Sequence, residues 1–167
     1  MITVVGHGDL SPDTPERVEA ELAARLEHCP EQAAGLVRVG AGLPLSVGRA
    51  VHRWGRALIL LLPAQGGVPA LLSPPEREAA AEMIMLAGQV RLVPGVPAGR
   101  DARITADERL IASCRRVLAV WDGSPSDGRD ATAHLVAFAR AHSVPVEILW
   151  PAGATRTALP VPHTSPA

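Results

Sequence analysis

The sequence has no lysine: every one of its 16 basic residues is an arginine. That excludes a Walker A phosphate loop, whose lysine reaches the β- and γ-phosphates, and it excludes Schiff-base chemistry on a lysine amine. Cysteine is scarce. Cys29 and Cys114 stand far apart and neither has a partner at metal-ligand spacing, so both read as reduced structural thiols. The six histidines include no His-x-x-x-His pair, and a metal site needs three or four convergent ligands, so no metal is assigned. A Gly-x-Ser-x-Gly nucleophile elbow is also missing. The stretch Met1-Ile2-Thr3-Val4-Val5-Gly6 lacks a basic n-region and a long apolar run, and the longest apolar run, 57–63, is too short to span a bilayer. The expectation is a cytoplasmic protein without a membrane partner. Charge of one sign is missing too: 16 basic residues face 17 acidic ones for a net of -1, a balance that carries no strong signal for gripping nucleic-acid phosphates.

What is present describes a packed globule. The 167 residues are 47% hydrophobic and 20% charged, which suits one domain with a sizeable core. The excess of Ala, Gly, Pro and Arg marks a GC-rich, bacterial coding sequence. Six short apolar runs read as strands: Ile2–Val5, Leu36–Val39, Ala57–Leu62, Val90–Val93, Val117–Trp121 and Val146–Trp150. Most are continuous rather than alternating, as in strands covered on both faces. Helical stretches lie between them, at Thr14–His28, Pro44–Trp54, Pro75–Gly88, Ala106–Arg115 and Ala131–His142. In the first, Val18, Leu22 and Leu26 recur every four residues and Pro15 suits the first turn. The alternation predicts an α/β fold, a Rossmann-like doubly wound three-layer sandwich with a mostly parallel sheet of about six strands. The domain is expected to end near residue 150. Residues 94–104 read as a surface loop, and 151–167, with four prolines and no periodicity, as a mobile tail.

In such a sheet, ligands sit beyond the carboxyl ends of the strands. The loops there are glycine-rich: Gly6-His7-Gly8-Asp9 after the first strand, Gly40-Ala41-Gly42 after the second and Pro63-Ala64-Gln65-Gly66-Gly67 after the third. Arg38, just before the second loop, is assigned to solvent or a surface pair. The fifth strand carries the fullest signal. Trp121 is followed by Asp122-Gly123-Ser124-Pro125-Ser126-Asp127-Gly128-Arg129-Asp130-Ala131-Thr132 and then a helix. Backbone amides, a hydroxyl and the positive end of a helix meet there, which makes a phosphate cradle. Asp122 can accept from a ribose or base. Asp130 and Thr132 are either ligand contacts or helix caps. His7 can hydrogen-bond a phosphate or base, and Trp121 either stacks on a base or packs in the core.

These residues carry a resemblance. The stretch from Asp107-Glu108-Arg109-Leu110-Ile111 through Leu118-Ala119-Val120-Trp121-Asp122-Gly123 to Asp130-Ala131-Thr132 and Pro145-Val146, together with Val5-Gly6-His7-Gly8 and Val39-Gly40-Ala41-Gly42, resembles the SLOG superfamily, which groups the DprA-like and LOG-like Rossmannoid proteins. The resemblance covers about residues 1–150. It implies nucleotide or nucleotide-derived ligands bound across these loops and, by the habit of the family, a homodimer. LOG-type phosphoribohydrolases cleave the N-glycosidic bond of a nucleoside monophosphate with a Pro-Gly-Gly-x-Gly-Thr-x-x-Glu loop. Here the glycine pair becomes Gly128-Arg129, the last glycine Ala131, and the glutamate three places after Thr132 becomes Leu135. Asp122-Gly123 and Asp130-Ala131-Thr132 also resemble part of the nucleoside 2-deoxyribosyltransferase turn, again without its glutamate.

The sequence therefore reads as a binding module, a sensor or regulatory domain for a nucleotide-derived small molecule, that needs no cofactor. Its expected binding residues are Gly6, His7, Gly8, Gly40, Gly42, Asp122, Gly123, Gly128, Asp130 and Thr132. The alternative is an enzyme acting at an N-glycosidic bond, with Asp9 or Asp122 helping the sugar. The apolar run Met83-Ile84-Met85-Leu86 on the third helix suits either core packing or a partner chain.

Overall fold

The computed structural model describes residues 1–29, 33–94 and 100–157. The elements run β1 (Ile2–Gly6), α1 (Thr14–Glu27), β2 (Gly35–Arg38), α2 (Leu43–Arg53), β3 (Leu58–Gln65), β4 (Val68–Pro69), α3 (Pro74–Leu86), β5 (Gln89–Pro94), α4 (Arg100–Ala112), β6 (Arg116–Val120), α5 (Thr132–Ala141) and β7 (Val146–Leu149). The sheet order is β4-β3-β2-β1-β6-β7, with β5 also paired to β3. Every pairing is parallel except the short β3–β4 hairpin. This is the expected doubly wound sandwich, with seven strands instead of about six.

The layers follow from the sequence pattern. Val18, Leu22 and Leu26 of α1, Val47, Ala50 and Val51 of α2 and Met83 of α3 are buried with Leu58, Leu60 and Leu62 on one face of the sheet. On the other face, Ile111 of α4 and Leu135, Val136 and Ala139 of α5 bury Val5, Val117 and Ala119. Three helices therefore cover one face and two cover the other. Pro75 stands in the first turn of α3, where its missing amide costs nothing, and a reciprocal Ser73–Glu76 capping box starts that helix. Hydrogen bonds from the Ser73 hydroxyl and amide hold the Glu76 carboxyl below its usual range.

Three expectations change. The loop after the third strand is shorter than expected, because β3 continues through Gln65. Gly66 and Gly67, at φ 61° and 82°, then make the tight turn into β4. Of the loop expected over 94–104, residues 100–104 form the first part of α4, and 95–99 lie outside the described residues. The segment 151–157, read as the start of a mobile tail, is pinned across the start of α1. Leu10 bridges Arg156, the Ser11 amide donates to the Thr155 carbonyl, and the Thr157 amide donates to the Asp9 carbonyl. Residues 158–167 lie outside the described residues. Cys29 and Cys114 are both free and buried. No described helix is long and apolar enough to cross a membrane.

Candidate functional site

β1 lies between β2 and β6, so the chain reverses its direction of travel across the sheet there. A crevice at such a switch point is where open α/β sheets take ligands. Here the crevice is bridged by side chains. His7, directly after β1, is fully buried. Its Nε2 lies 2.9 Å from Asp122 Oδ1, directly beyond β6. So short an approach to a carboxylate is favourable only if Nε2 carries the proton and donates. The Asp122 amide, 3.3 Å from the same nitrogen, is then a neighbour rather than its donor. Nδ1 faces Asp130 Oδ2 at 3.1 Å without the alignment of a hydrogen bond. The Trp150 indole packs perpendicular to the ring, at 5.7 Å between centroids.

The loop after β6 is likewise bound to itself. Asp130 accepts from the Thr132 hydroxyl at 2.7 Å and approaches the Thr132 amide at 3.4 Å. Asp127 Oδ1 accepts from the Arg129 and Asp130 amides, which lowers the Asp127 carboxyl below its usual range. Ser126 Oγ accepts from the His134 amide, and the Trp121 indole donates to the Ser124 carbonyl. The first turn of α5 thus spends amides on Asp130 and Ser126. Asp130 and Thr132 are buried and hydrogen-bonded to each other.

Arg156 completes the corner. It grips both Asp9 carboxylate oxygens and donates to Ser124 Oγ at 2.9 Å. It stands 3.7 Å from Asp122, and the bond to Asp9 raises its own pKa further. Partial burial alone would raise the Asp122 carboxyl. Hydrogen bonds from the Ser124 hydroxyl and amide and from His7 outweigh that and hold it well below the usual carboxylate range. Asp122 remains about a quarter exposed, so this ionised carboxylate still faces outward.

The glycines divide into two kinds. A side chain on Gly6 would meet the Val120 carbonyl at 2.6 Å and Leu43 at 2.8 Å, so Gly6 serves packing. Gly40 sits against Pro44 at 3.1 Å. Gly8, Gly42, Gly123 and Gly128 have nothing within 4 Å of where a side chain would project. Gly42 also caps α2 with φ at 69° and no side-chain hydrogen bond. The first bond of α2 runs from the Ser46 amide to the Gly42 carbonyl. The amides of Leu43 and Leu45 come before it, where helix amides have no intrahelical partner. Because Leu43 lies against Gly6, this uncapped helix start borders the switch point.

Other charged residues are paired away from this corner. Arg38 pairs with Asp107 at 2.8 Å, and burial pushes the Asp107 carboxyl above its usual range despite Arg38 and Arg103. Glu82 pairs with Arg49, and Glu108 with His134. Leu135 is buried in the core under α5. No group of three or more His, Cys, Asp or Glu able to hold a metal occurs among the described residues. Sequence reasoning missed Arg156 and Trp150. The available signal was thin: Arg156 is the lone arginine in 151–167, flanked by Thr155 and Thr157.

No protein-family model matches the chain, and no curated protein matches it. Solved structures do. One is described as "function and structure of the molybdenum cofactor carrier protein MCP from Chlamydomonas reinhardtii". It matches at TM-score 0.55 and 19% identity over 88% of this chain and 74% of that one. A second, described as the structure of the Moco carrier protein from the same organism, matches at TM-score 0.54 and 19% identity over 89% and 74%. At that identity the likeness is one of fold, and the architecture of this chain is Rossmann-like.

Proposed function

We propose that the chain binds a nucleotide or nucleotide-derived phosphate ligand at the carboxyl edge of its sheet, as a sensor or regulatory module of the SLOG kind. The carrying observation is the uncapped start of α2 on Gly42, whose Leu43 lies against Gly6 at the end of β1, on the sheet edge that also carries open Gly8 and the partly exposed Asp122. The anion belongs on the α2 amides. The loop before α5 suits it less, because that helix start is capped from within and Asp9, Asp122, Asp127 and Asp130 crowd the corner. Those carboxylates suit the other end of the ligand, accepting hydrogen bonds from sugar hydroxyls or an amino group. The similar structures, whose own descriptions name a cofactor carrier, support a small-molecule role for this architecture.

A second reading is cleavage at an N-glycosidic bond with Asp9 or Asp122 acting on the sugar. Leu135 in the core leaves no carboxylate at the place of the LOG glutamate, and Asp9 is held by Arg156, so binding without cleavage is favoured. Thermal-shift screening against AMP, ADP-ribose, cyclic nucleotides and dinucleotides tests binding, since a ligand selective for the folded state raises the melting temperature. A flat response across all of them removes the proposal. Incubation with nucleoside monophosphates followed by chromatography separates the two readings, because released base establishes the enzyme.

The same reading includes a second copy of the chain. Among the described residues β5 pairs with β3 alone, and Ile84, Met85, Val90 and Leu92 are exposed on β5 and the end of α3 before it. An unpaired strand edge with exposed apolar side chains is a template for pairing, and two-fold self-pairing would cover it. Light scattering at micromolar concentration should return twice the 17.4 kDa chain mass. A monomer that stays monomeric removes this part.

A further inference from the structure

We propose that a second site, on the opposite side of the sheet from α3, binds a small molecule with an apolar body and one anionic head. Among the described residues α4 and α5 cover that face, and beyond α4 they leave the strands β2, β3 and β5 partly open. The result is a cavity of about 370 Å³ between α4 and those strands. That volume lies within the range of small-molecule pockets.

The register explains its chemistry. Arg38, Leu61 and Arg91 are partners across adjacent strands, so they form one rung and project to the same face. Leu36 and Val93 flank the rung and complete an apolar floor. Arg109 of α4 supplies a third guanidinium from the opposite wall. Of the three, Arg38 alone has a carboxylate partner, Asp107. Arg91 hydrogen-bonds Gln89 and pairs with no acid, and Arg109 pairs with none among the described residues. The Nε of Arg38 is buried without a hydrogen-bond partner. Guanidinium N–H groups converging on an apolar floor match a carboxylate, sulfonate or phosphate attached to a ring or chain. A second copy laid over this face, as distinct from one paired along the β5 edge, fits poorly as the occupant, because it would set Arg38 and Arg109 against their own copies.

Fluorescence titration with anilinonaphthalene sulfonate tests this, with phenylnaphthylamine as its uncharged counterpart. Wild type should bind the sulfonate at one saturable site. Arg91→Glu and Arg109→Glu, both at exposed positions, should weaken it about tenfold or more and leave the neutral dye unchanged. Ala106→Phe, which fills the cavity from α4, should remove both dyes. Absence of saturable binding, or equal sulfonate affinity in the arginine variants, overturns the proposal. Complete displacement of the dye by AMP would merge this cavity with the proposed nucleotide site and overturn it as a separate one.

Discussion

The two polar regions of this molecule treat their charges in opposite ways. At the carboxyl corner, His7–Asp122, Thr132–Asp130 and Arg156–Asp9 hydrogen bonds tie the side chains to one another, and His7 at the centre is fully buried with only its Nδ1 left without a hydrogen bond. In the cavity under α4, Arg38 alone pairs with a carboxylate, while Arg91 and Arg109 are exposed and pair with no acid among the described residues. The first arrangement holds the fold together where β1, β6 and β7 end. The second contributes little to stability and leaves donors free for a guest. A polar cluster at a ligand-binding edge is therefore not automatically the ligand's contact surface.

The contrast breaks most visibly at His7. His7→Leu removes the ring between two carboxylates and should cost about 3 kcal/mol, the scale of stranding a buried charged partner. Thermal unfolding should show a drop of roughly 10 °C for a chain this size. Arg109→Glu should move the same midpoint by no more than about 0.5 kcal/mol, the usual surface value. If the two variants shift it equally, the contrast is lost. Gly6→Ala comes next, because its new methyl group meets the Val120 carbonyl at 2.6 Å. A cost of about 2 kcal/mol is expected from overpacking against fixed backbone. Arg156→Ala should cost about 1 kcal/mol, discounted for the exposure of Asp9. Its sharper readout is proteolysis, since residues 151–157 lose their anchor and should be cut faster in the variant.

Acid sharpens the comparison further. The folded-state pKa of Asp122 is depressed, so its stabilising contribution is complete above its unfolded value of about 4 and is lost as the pH falls below that. Asp107 has the opposite sign: its raised pKa favours the fold at low pH, and that advantage fades as the pH rises through its folded value. Asp122→Asn should flatten the acid limb of a stability-versus-pH curve. A curve that keeps the wild-type slope between about pH 5 and pH 2 would assign acid sensitivity to other groups.

Much of the fold was legible before the structure, for a physical reason. Strands covered on both faces read as unbroken apolar runs, and Leu58, Leu60 and Leu62 are as buried as their run implied. The spacing of Val18, Leu22 and Leu26 announced α1 in the same way. The start of α4 was hidden because Arg100, Asp101, Arg103 and Thr105 give its first turns no apolar stripe. β4 was too short to register. At the site, the order of strands and loops was legible, and the side-chain contacts between loops were not. His7, assigned from its glycine loop to a phosphate or base, is instead buried against Asp122 and Asp130, more than a hundred residues away. The bond from Arg156 to Asp9 spans 147 positions, and no local pattern encodes it.

Gly8 offers the most direct test of nucleotide binding at the carboxyl edge. Nothing lies within 4 Å of a side chain added there, and its φ is not in the left-handed region, so Gly8→Val adds bulk to the edge without disturbing the unliganded protein. Calorimetric titration with AMP should show saturable binding to wild type and affinity reduced about tenfold or more in Gly8→Val, at an unchanged melting temperature. Equal affinity in the two proteins, or no heat of binding to wild type, would contradict the account.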